Sequence, residues 1–427
     1  MQKRSPLTND VSRRTLLNAG ASAAAAFPYF VPRGVLGGQG RPGANDRIRV
    51  GVIGAGNRGN LLIDQMPEEG EIVAVSDCYL KRCDEAASKR KARWRTHQDY
   101  RRLLDDKNID GVVVATNEHW HVLCAMHACQ AGKDVYVEKP LSLYVEEGRA
   151  LVRAARKYDR VVQVGSQQRS MAMNKLACEF VRSGGLGRVL FVEGVNYSGP
   201  RPPQMGLPAE PVPETLDWDV WVGQAPMRPY NPKGRGGWDF GGGEMTNWGA
   251  HGLDQVQSAL AMDQTGPVEF WPLPDGPGDK GSLAFRYANG VVVRLEMPSG
   301  DLQGGAILVG EKARIEVIRN NFRTDPPRLV KELPPPEEVQ KWRDDVALWQ
   351  AKYHMLEWLN CMRTRARPSA DVEIGHRSVT VCHLAIITRR LGRKLTWDPQ
   401  AERFPGDEEA NRLLNYPRRK GYELPAV

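Results

Sequence analysis

Arg49-Val50-Gly51-Val52-Ile53-Gly54-Ala55-Gly56-Asn57-Arg58-Gly59 is a short apolar run that leads straight into Gly-x-Gly-x-x-Gly and then into a helical pattern over residues 60–66. The order of parts carries the reading. A buried parallel strand ends at Ile53, Gly54 permits a tight turn, Gly56 lets a pyrophosphate approach the backbone, and Gly59 lets the next helix pack closely. The N–H groups that open that helix then face the phosphates. A second apolar run, Glu71-Ile72-Val73-Ala74-Val75-Ser76-Asp77, ends in an acid 23 residues after Gly54. That is the spacing of a carboxylate on an adenosine ribose. Asp77 accepts from a 2′-hydroxyl and repels a 2′-phosphate, which favours NAD; Lys81 and Arg82 just beyond leave NADP open. Asn57 and Arg58 belong to the same expected cofactor loop.

Outward from this stretch, residues 46–166 alternate Val-rich strands with helical segments, the pattern of a doubly wound parallel α/β sheet. Further strands are expected at 111–116, 134–138 and 161–165. Ligands of such sheets sit outside the carboxyl ends of the strands. There lie Thr116-Asn117-Glu118-His119-Trp120-His121 and Glu138-Lys139-Pro140.

Upstream, Ser12-Arg13-Arg14-Thr15-Leu16-Leu17 precedes an Ala-rich, mildly apolar run, so residues 1–40 read as a twin-arginine export leader. Residues 16–31 are too short, and too interrupted by Gly20, Pro28 and Pro32, for a membrane span. The expected partner is the twin-arginine machinery and the expected location is the periplasm, or wherever that route delivers. Because the route carries folded proteins, it suits an enzyme that acquires NAD before it leaves the cytosol.

Downstream, residues 167–427 form a second unit. Strands expected at 189–197, 281–287, 290–296, 306–309 and 313–318 suggest an open, mainly antiparallel sheet in an α+β domain. A Pro-, Gly- and Trp-rich segment, 198–243, is too long for a connector and is expected to be a substrate loop. The formal charge of +8 comes from scattered Lys and Arg with acids among them, a solvated surface and not a nucleic-acid site. Seven cysteines without Cys-x-x-Cys argue against a disulfide framework or a zinc knuckle. His119 and His121 have no third ligand at usable spacing, so no metal is expected.

Taken together, Gly-x-Gly-x-x-Gly, Thr-x-x-x-x-His at 116–121, Ala131-Gly132-Lys133, Glu138-Lys139-Pro140, the run Gly241-Gly242-Gly243-Glu244-Met245-Thr246-Asn247-Trp248-Gly249-Ala250-His251-Gly252-Leu253-Asp254, and residues 367–397 resemble the Gfo/Idh/MocA oxidoreductases. The resemblance implies an N-terminal Rossmann domain and a second domain with helices on one face of an open sheet, whose exposed face makes a homo-oligomer the expected state. It implies that Lys139 contacts the substrate hydroxyl and is catalytic, that Glu138 contacts the nicotinamide ribose, and that Thr116, Asn117 and His121 line the cofactor cleft. It also places His251 as proton acceptor, with Asn247 where many members have Asp.

The residues themselves add to this. Pro140 prevents a helix from starting at Lys139, and an ammonium beside a positive nicotinamide should have a lowered pKa. A helix is expected to start near Glu244, so that Asn247 and His251, four apart, share one face. An amide orients an imidazole but gives an imidazolium no charge support, so either the base is weaker or Asp254 or Asp239 assists. Tyr197 and Trp238 are the aromatics expected to stack on a sugar, with Asp239 bonding hydroxyls. The reading is an exported NAD(P)-dependent oxidoreductase acting on a secondary hydroxyl of a sugar, glycoside or cyclitol. Its rivals are an NAD-retaining glycoside hydrolase or lyase working by transient oxidation, and a non-catalytic sugar-binding protein.

Overall fold

The computed structural model describes residues 43, 46–274, 278–342 and 350–427. The expected leader, with Arg13-Arg14, lies outside the described residues. Residues 48–427 form one compact unit.

Six strands, β1 (Ile48–Ile53), β2 (Gly70–Ser76), β3 (Arg95–His97), β4 (Gly111–Val114), β5 (Asp134–Val137) and β6 (Val162–Val164), build a parallel sheet in the order β3-β2-β1-β4-β5-β6. β4 and β5 are buried on both faces, which is why they read as near-continuous Val runs. The connecting helices are α1 (Asn57–Asp64), α2 (Leu80–Lys89), α3 (Tyr100–Leu104), α4 (Glu118–Gln130) and α5 (Val145–Lys157). Val112, Val114, Val135 and Val137 pack with residues of α4 and α5 in one core. Val50, Val52, Val113 and Tyr136 pack instead with Met355, Trp358 and Leu359. The sheet order reverses between β1 and β4, so a crevice opens outside their carboxyl ends.

The second half adds α6 (Ala172–Arg182), α7 (Trp218–Val222), α8 (Gly243–Asn247), α9 (Gly249–Ala259), α10 (Pro336–Gln340), α11 (Lys352–Thr364), α12 (Val372–Leu391) and α13 (Glu408–Asn411). Its strands are β7 (Val189–Val195), β8 (Pro267–Pro272), β9 (Leu283–Tyr287), β10 (Val292–Met297), β11 (Ala306–Gly310), β12 (Arg314–Ile318), β13 (Asn321–Asp325) and β14 (Leu395–Thr396). They pair as β13-β12-β11-β7-β10-β9-β8-β14, antiparallel throughout except for β7 with β10. The inner face, with Val192, Phe270, Phe285 and Leu308, meets Val256 of α9 and Leu384 of α12 in one core. α12 is buried around most of its circumference because it is shared: it packs on α5 of the first half and on α9 and β8 of the second.

Two expectations need correction. The helix expected to run through Asn247 and His251 is two helices, α8 and α9, meeting at Trp248, where the bond from His251 N–H to Trp248 O (3.1 Å) tightens the turn. The segment 198–243 is also not one substrate loop. Residues 198–201, 235–237, 240, 241 and 243 border the expected site, but Leu216, Trp218, Trp221, Val222, Ala225, Tyr230 and Phe240 form their own apolar cluster, with Cys78 and Tyr79 against it.

Candidate active site

The glycine loop is built as a dinucleotide cradle requires. Gly54 has φ +98, and a Cβ there would lie 2.6 Å from Ala115 O; a Cβ on Gly59 would lie 1.9 Å from Gly54 O. No side chain caps α1, so its first N–H groups are left for a ligand. Asp77 ends β2 with its carboxylate fixed, accepting from Ala55 N at 2.8 Å and Tyr79 N at 2.8 Å. Arg82 Nη1 stands 3.8 Å from it. Gly54, Gly56, Asp77, Arg82, Thr116 and Asn117 line one groove beside these strand ends. The residues present therefore fit NAD.

A larger cleft of about 690 Å³ adjoins that groove through Ala115, Thr116 and Asn117. Arg58, His121, Glu138, Lys139, Asn247 and His251 all line it. Lys139 stands just past β5 and reaches across to the second half: Nζ donates to Asn247 Oδ1 at 2.7 Å and to Asn247 O at 3.1 Å. Burial lowers its pKa, while Glu138 and Glu118 oppose the shift. Glu138 Oε1 accepts from Arg58 Nε at 2.8 Å. The His121 ring nitrogens lie 2.7 Å from Pro140 O and 3.1 Å from Thr116 O, which ties the turn carrying Lys139 to the Thr116 loop. Burial lowers the pKa of His121 too. His119, expected not to bind metal, is wholly buried against Trp221 O and is held neutral, its pKa pushed down to about 3 by burial. Among the described residues no group of three or more His, Cys, Asp or Glu is placed to hold a metal ion.

His251 is 4% exposed and makes no side-chain hydrogen bond among the described residues. Burial pushes its pKa well below the ordinary value, and the positive charges of Arg319, Lys139 and Arg58 push the same way. At neutral pH it is a free imidazole at the cleft wall, the state a proton acceptor needs.

Several expected contacts are not made. Asn247 does not pair with His251; its amide accepts from Lys139 and donates to Glu244 Oε2 at 3.2 Å, because the break at Trp248 separates the two residues. Asp254 is taken by Arg169 at 2.8 Å and Ser378 at 2.7 Å. Asp239 is paired with Arg228 and does not line the cleft. Tyr197 belongs to the core of the second half, its hydroxyl accepting from Gly304 N at 2.8 Å. Trp238 faces a neighbouring cavity, with Arg390 over its ring at 4.9 Å.

Other groups emerge only in three dimensions. Glu118 lines the cleft, its Oε2 accepting from Gly242 N at 2.8 Å and Thr246 Oγ1 at 3.0 Å. Burial raises its pKa. Its place between Asn117 and His119, in a stretch already singled out, was the available signal. Arg319, 7% exposed, reaches in from the turn between β12 and β13 with its guanidinium 5.8 Å from the Trp248 ring. Nothing in its local sequence signals that role.

Two family profiles match the chain: the oxidoreductase family's NAD-binding Rossmann fold over residues 48–166 and its C-terminal alpha/beta domain over residues 189–424. Inositol 2-dehydrogenase of Salmonella typhimurium is 27% identical over 179 residues, 41% of this chain and 53% of that protein. Glycosyl hydrolase family 109 protein 1 of Shewanella sp. (strain ANA-3) is 31% identical over 193 residues, 43% of this chain and 41% of that protein. The chain spans about half the length of the curated relatives it matches. The same fold occurs in the WlbA dehydrogenase from Bordetella pertussis, solved with NADH and UDP-GlcNAcA: TM-score 0.59, 21% identity, 82% of this chain and 99% of that one. It occurs also in levoglucosan dehydrogenase, solved with NADH and levoglucosan: TM-score 0.60, 18% identity, 82% of this chain and 99% of that one. With both profiles matched in order across a glycine cradle and a Lys139–His251 cleft, the chain belongs to the Gfo/Idh/MocA oxidoreductase family.

Proposed function

We infer that this protein is an NAD-dependent oxidoreductase acting on a secondary hydroxyl of a sugar, glycoside or cyclitol. The observation that carries the reading is the meeting of Lys139 and the free imidazole of His251 in one cleft adjoining the glycine loop. Bound NAD supplies the hydride acceptor. Two of the three Lys139 ammonium protons go to Asn247, and the third donates to the substrate oxygen, stabilising the negative charge that develops there. His251, held unprotonated, takes the hydroxyl proton. Asp77 favours NAD over NADP through its 2′-hydroxyl contact. The relatives' names, inositol 2-dehydrogenase among them, support a polyol substrate.

The test is formation of NADH or NADPH with a panel of myo-inositol, levoglucosan and simple aldoses. Oxidation by the wild type that Lys139→Ala abolishes is the expected result. Bound sugar with no reduction of the dinucleotide in any case would leave a non-catalytic binder. One observation favours a second reading, transient oxidation followed by glycoside cleavage: Glu118 gives the cleft a further acid whose pKa is raised by burial. Release of an aryl alcohol from aryl glycosides, with no net NADH, distinguishes that reaction.

Export by the twin-arginine route to the periplasm and assembly as a homo-oligomer complete the proposal. The Arg13-Arg14 leader supports the first. The outer face of the eight-stranded sheet, where Leu190 is 43% exposed, supports the second. Among the described residues no helix is long and apolar enough to cross a membrane.

A further inference from the structure

We propose that the cavity beside the cleft, between Trp238 and the 386–390 end of α12, is a second subsite that receives an aromatic, hydroxyl-bearing aglycone, so that the preferred substrate is an aryl glycoside. The inference rests on the proposed oxidation of a sugar hydroxyl in the cleft and narrows its substrate class.

The cavity holds about 500 Å³, within the range of sites for small organic ligands. It adjoins the cleft: Gly199, Pro200 and Gly241 line both spaces. Two of these three are glycines, so no side chain stands between the spaces at those points. A Cβ on Gly199 would lie 3.8 Å from Ile386 Cγ1, on the cavity side, and one on Gly241 would lie 3.4 Å from Glu118 Cδ, on the cleft side. A substrate with its reacting carbon near Lys139 and His251 has room to extend a substituent past this wall.

The two spaces differ in chemistry. The cleft carries Arg58, Glu118, Glu138, Lys139, Glu244 and His251, groups suited to hydroxyls. The cavity is walled mainly by Leu143, Pro200, Ile386, Ile387 and Leu413, whose side chains offer a sugar no hydrogen bonds. A polyol lodged there would lose water without compensation, whereas an apolar ring gains by burial. Trp238 and Arg390 favour an aromatic ring over a saturated one. The half-buried indole carries the Arg390 guanidinium 4.9 Å from its ring centroid, and Arg390 makes no ion pair among the described residues. Indole and guanidinium planes are both stacking surfaces for a π system.

One buried polar atom adds the hydroxyl. His383 is 5% exposed and lines the cavity. Its Nε2 lies 3.1 Å from Ser142 O, which only accepts, so Nε2 carries the proton and Nδ1 is left as an acceptor. Nδ1 has no hydrogen-bond partner among the described residues, and burial keeps the ring neutral, its pKa pushed down to about 3. The chemistry of the cleft makes no use of this histidine. A hydroxyl on the aglycone ring donates to Nδ1 and gives it the partner a buried polar atom requires.

The test measures binding, so that leaving-group reactivity plays no part. Matched methyl, phenyl and 4-hydroxyphenyl glycosides of glucose, galactose and N-acetylgalactosamine are titrated by calorimetry into the full chain saturated with NADH, which accepts no hydride. For at least one sugar, the phenyl glycoside should bind roughly thirtyfold tighter than the methyl glycoside through burial of its ring, with a further several-fold from the hydroxyl. Leu413→Trp, which fills the cavity from its half-buried rim, should remove the aryl preference while methyl-glycoside binding persists. Trp238→Ala should cut the same preference and carries the test if Leu413→Trp does not fold. Equal affinity for methyl and phenyl glycosides, or a phenyl preference that neither variant changes, overturns the subsite, while dinucleotide reduction by myo-inositol or an aldose leaves the proposed function standing. A hydroxyl without effect overturns the role of His383. A chain that binds no glycoside and reduces no dinucleotide with any polyol overturns the proposed function as well.

Discussion

Lys139 and Asn247 form the contact that most changes the chemistry of the cleft. The family resemblance implies an acid at position 247 in many members; here an amide accepts from the ammonium, and among the described residues no carboxylate is directly bonded to the Lys139 ammonium. The expected pH profile follows from the two shifts. Activity rises with pH only at the acid end, as His251 loses its proton below the ordinary histidine range, is flat through neutrality, and falls on the alkaline side as Lys139 loses its proton below the ordinary lysine range. Asn247→Asp puts a negative charge on Lys139, raises its pKa and moves the alkaline limb upward. The acid limb moves little, because Asn247 makes no hydrogen bond to His251. His251→Ala should cost roughly a hundredfold or more in kcat, the usual size of a general-base contribution. Profiles of kcat/KM for the three proteins decide it: a shifted acid limb with a fixed alkaline limb in Asn247→Asp would make His251 the partner of position 247 after all.

At the scale of elements, α12 is the shared column, and Arg149 of α5 pins it. Its guanidinium donates to Glu373 at 2.5 and 2.8 Å and to Glu402 at 2.6 and 2.8 Å, and His376 Nε2 lies 2.8 Å from Glu402. Burial works against ionised Glu373, but Arg149 and Arg377 outweigh it and hold the carboxyl at about 2. Glu402 is held lower still by Arg149 and His376, also against burial. Carboxyls with depressed folded pKa values stabilise the fold above their unfolded pKa of about 4.3, and that stability is lost as pH falls through the folded values. Arg149→Met should lower unfolding free energy by about 2–3 kcal/mol at neutral pH, less than for a fully buried pair. Denaturant midpoints at neutral pH and at about pH 3 should show the gap between wild type and variant narrowing at acid pH; a constant gap would mean the loss is one of packing. The bonds of Arg149 were not legible in the sequence, because they join it to Glu373 and Glu402 across more than two hundred residues. Legible elements were those whose signal is local: β1 with its glycine turn, the Val runs of β4 and β5, and Glu138-Lys139-Pro140 at a strand end. The short β3, and β14 at the sheet edge with β8 beside it, lacked such runs. Tyr197 and Asp239 misled for the same reason: an aromatic or acid near the right strand end looks the same in sequence whether it faces the cleft, the core or an arginine.

The whole molecule joins two facts that the sequence keeps far apart. The nucleotide groove uses the first strand of the fold, yet its second wall comes from residues 215–225 and its fastening from residues 419–422, so the site is complete only when nearly the entire chain has folded. A dinucleotide loaded into that groove is loaded into a finished molecule. Export of an unfolded chain would deliver an empty site to a compartment where free NAD is scarce, whereas a route for folded proteins delivers the loaded one. The twin-arginine reading of residues 12–17 therefore predicts a joint outcome. The wild type, fractionated from a host with an active twin-arginine pathway, should be found outside the cytoplasm with nucleotide bound. Replacing Arg13-Arg14 by Lys-Lys should hold the protein in the cytosol with the same nucleotide content, since the substitution lies outside residues 48–427, which hold the nucleotide groove. Fractionation with the nucleotide assay on each fraction checks both halves. Unchanged export of the Lys-Lys variant removes the twin-arginine route. Correct retention of the variant, with nucleotide in the cytosolic protein and none in the exported wild type, would keep the route but show that the cofactor does not stay bound through export.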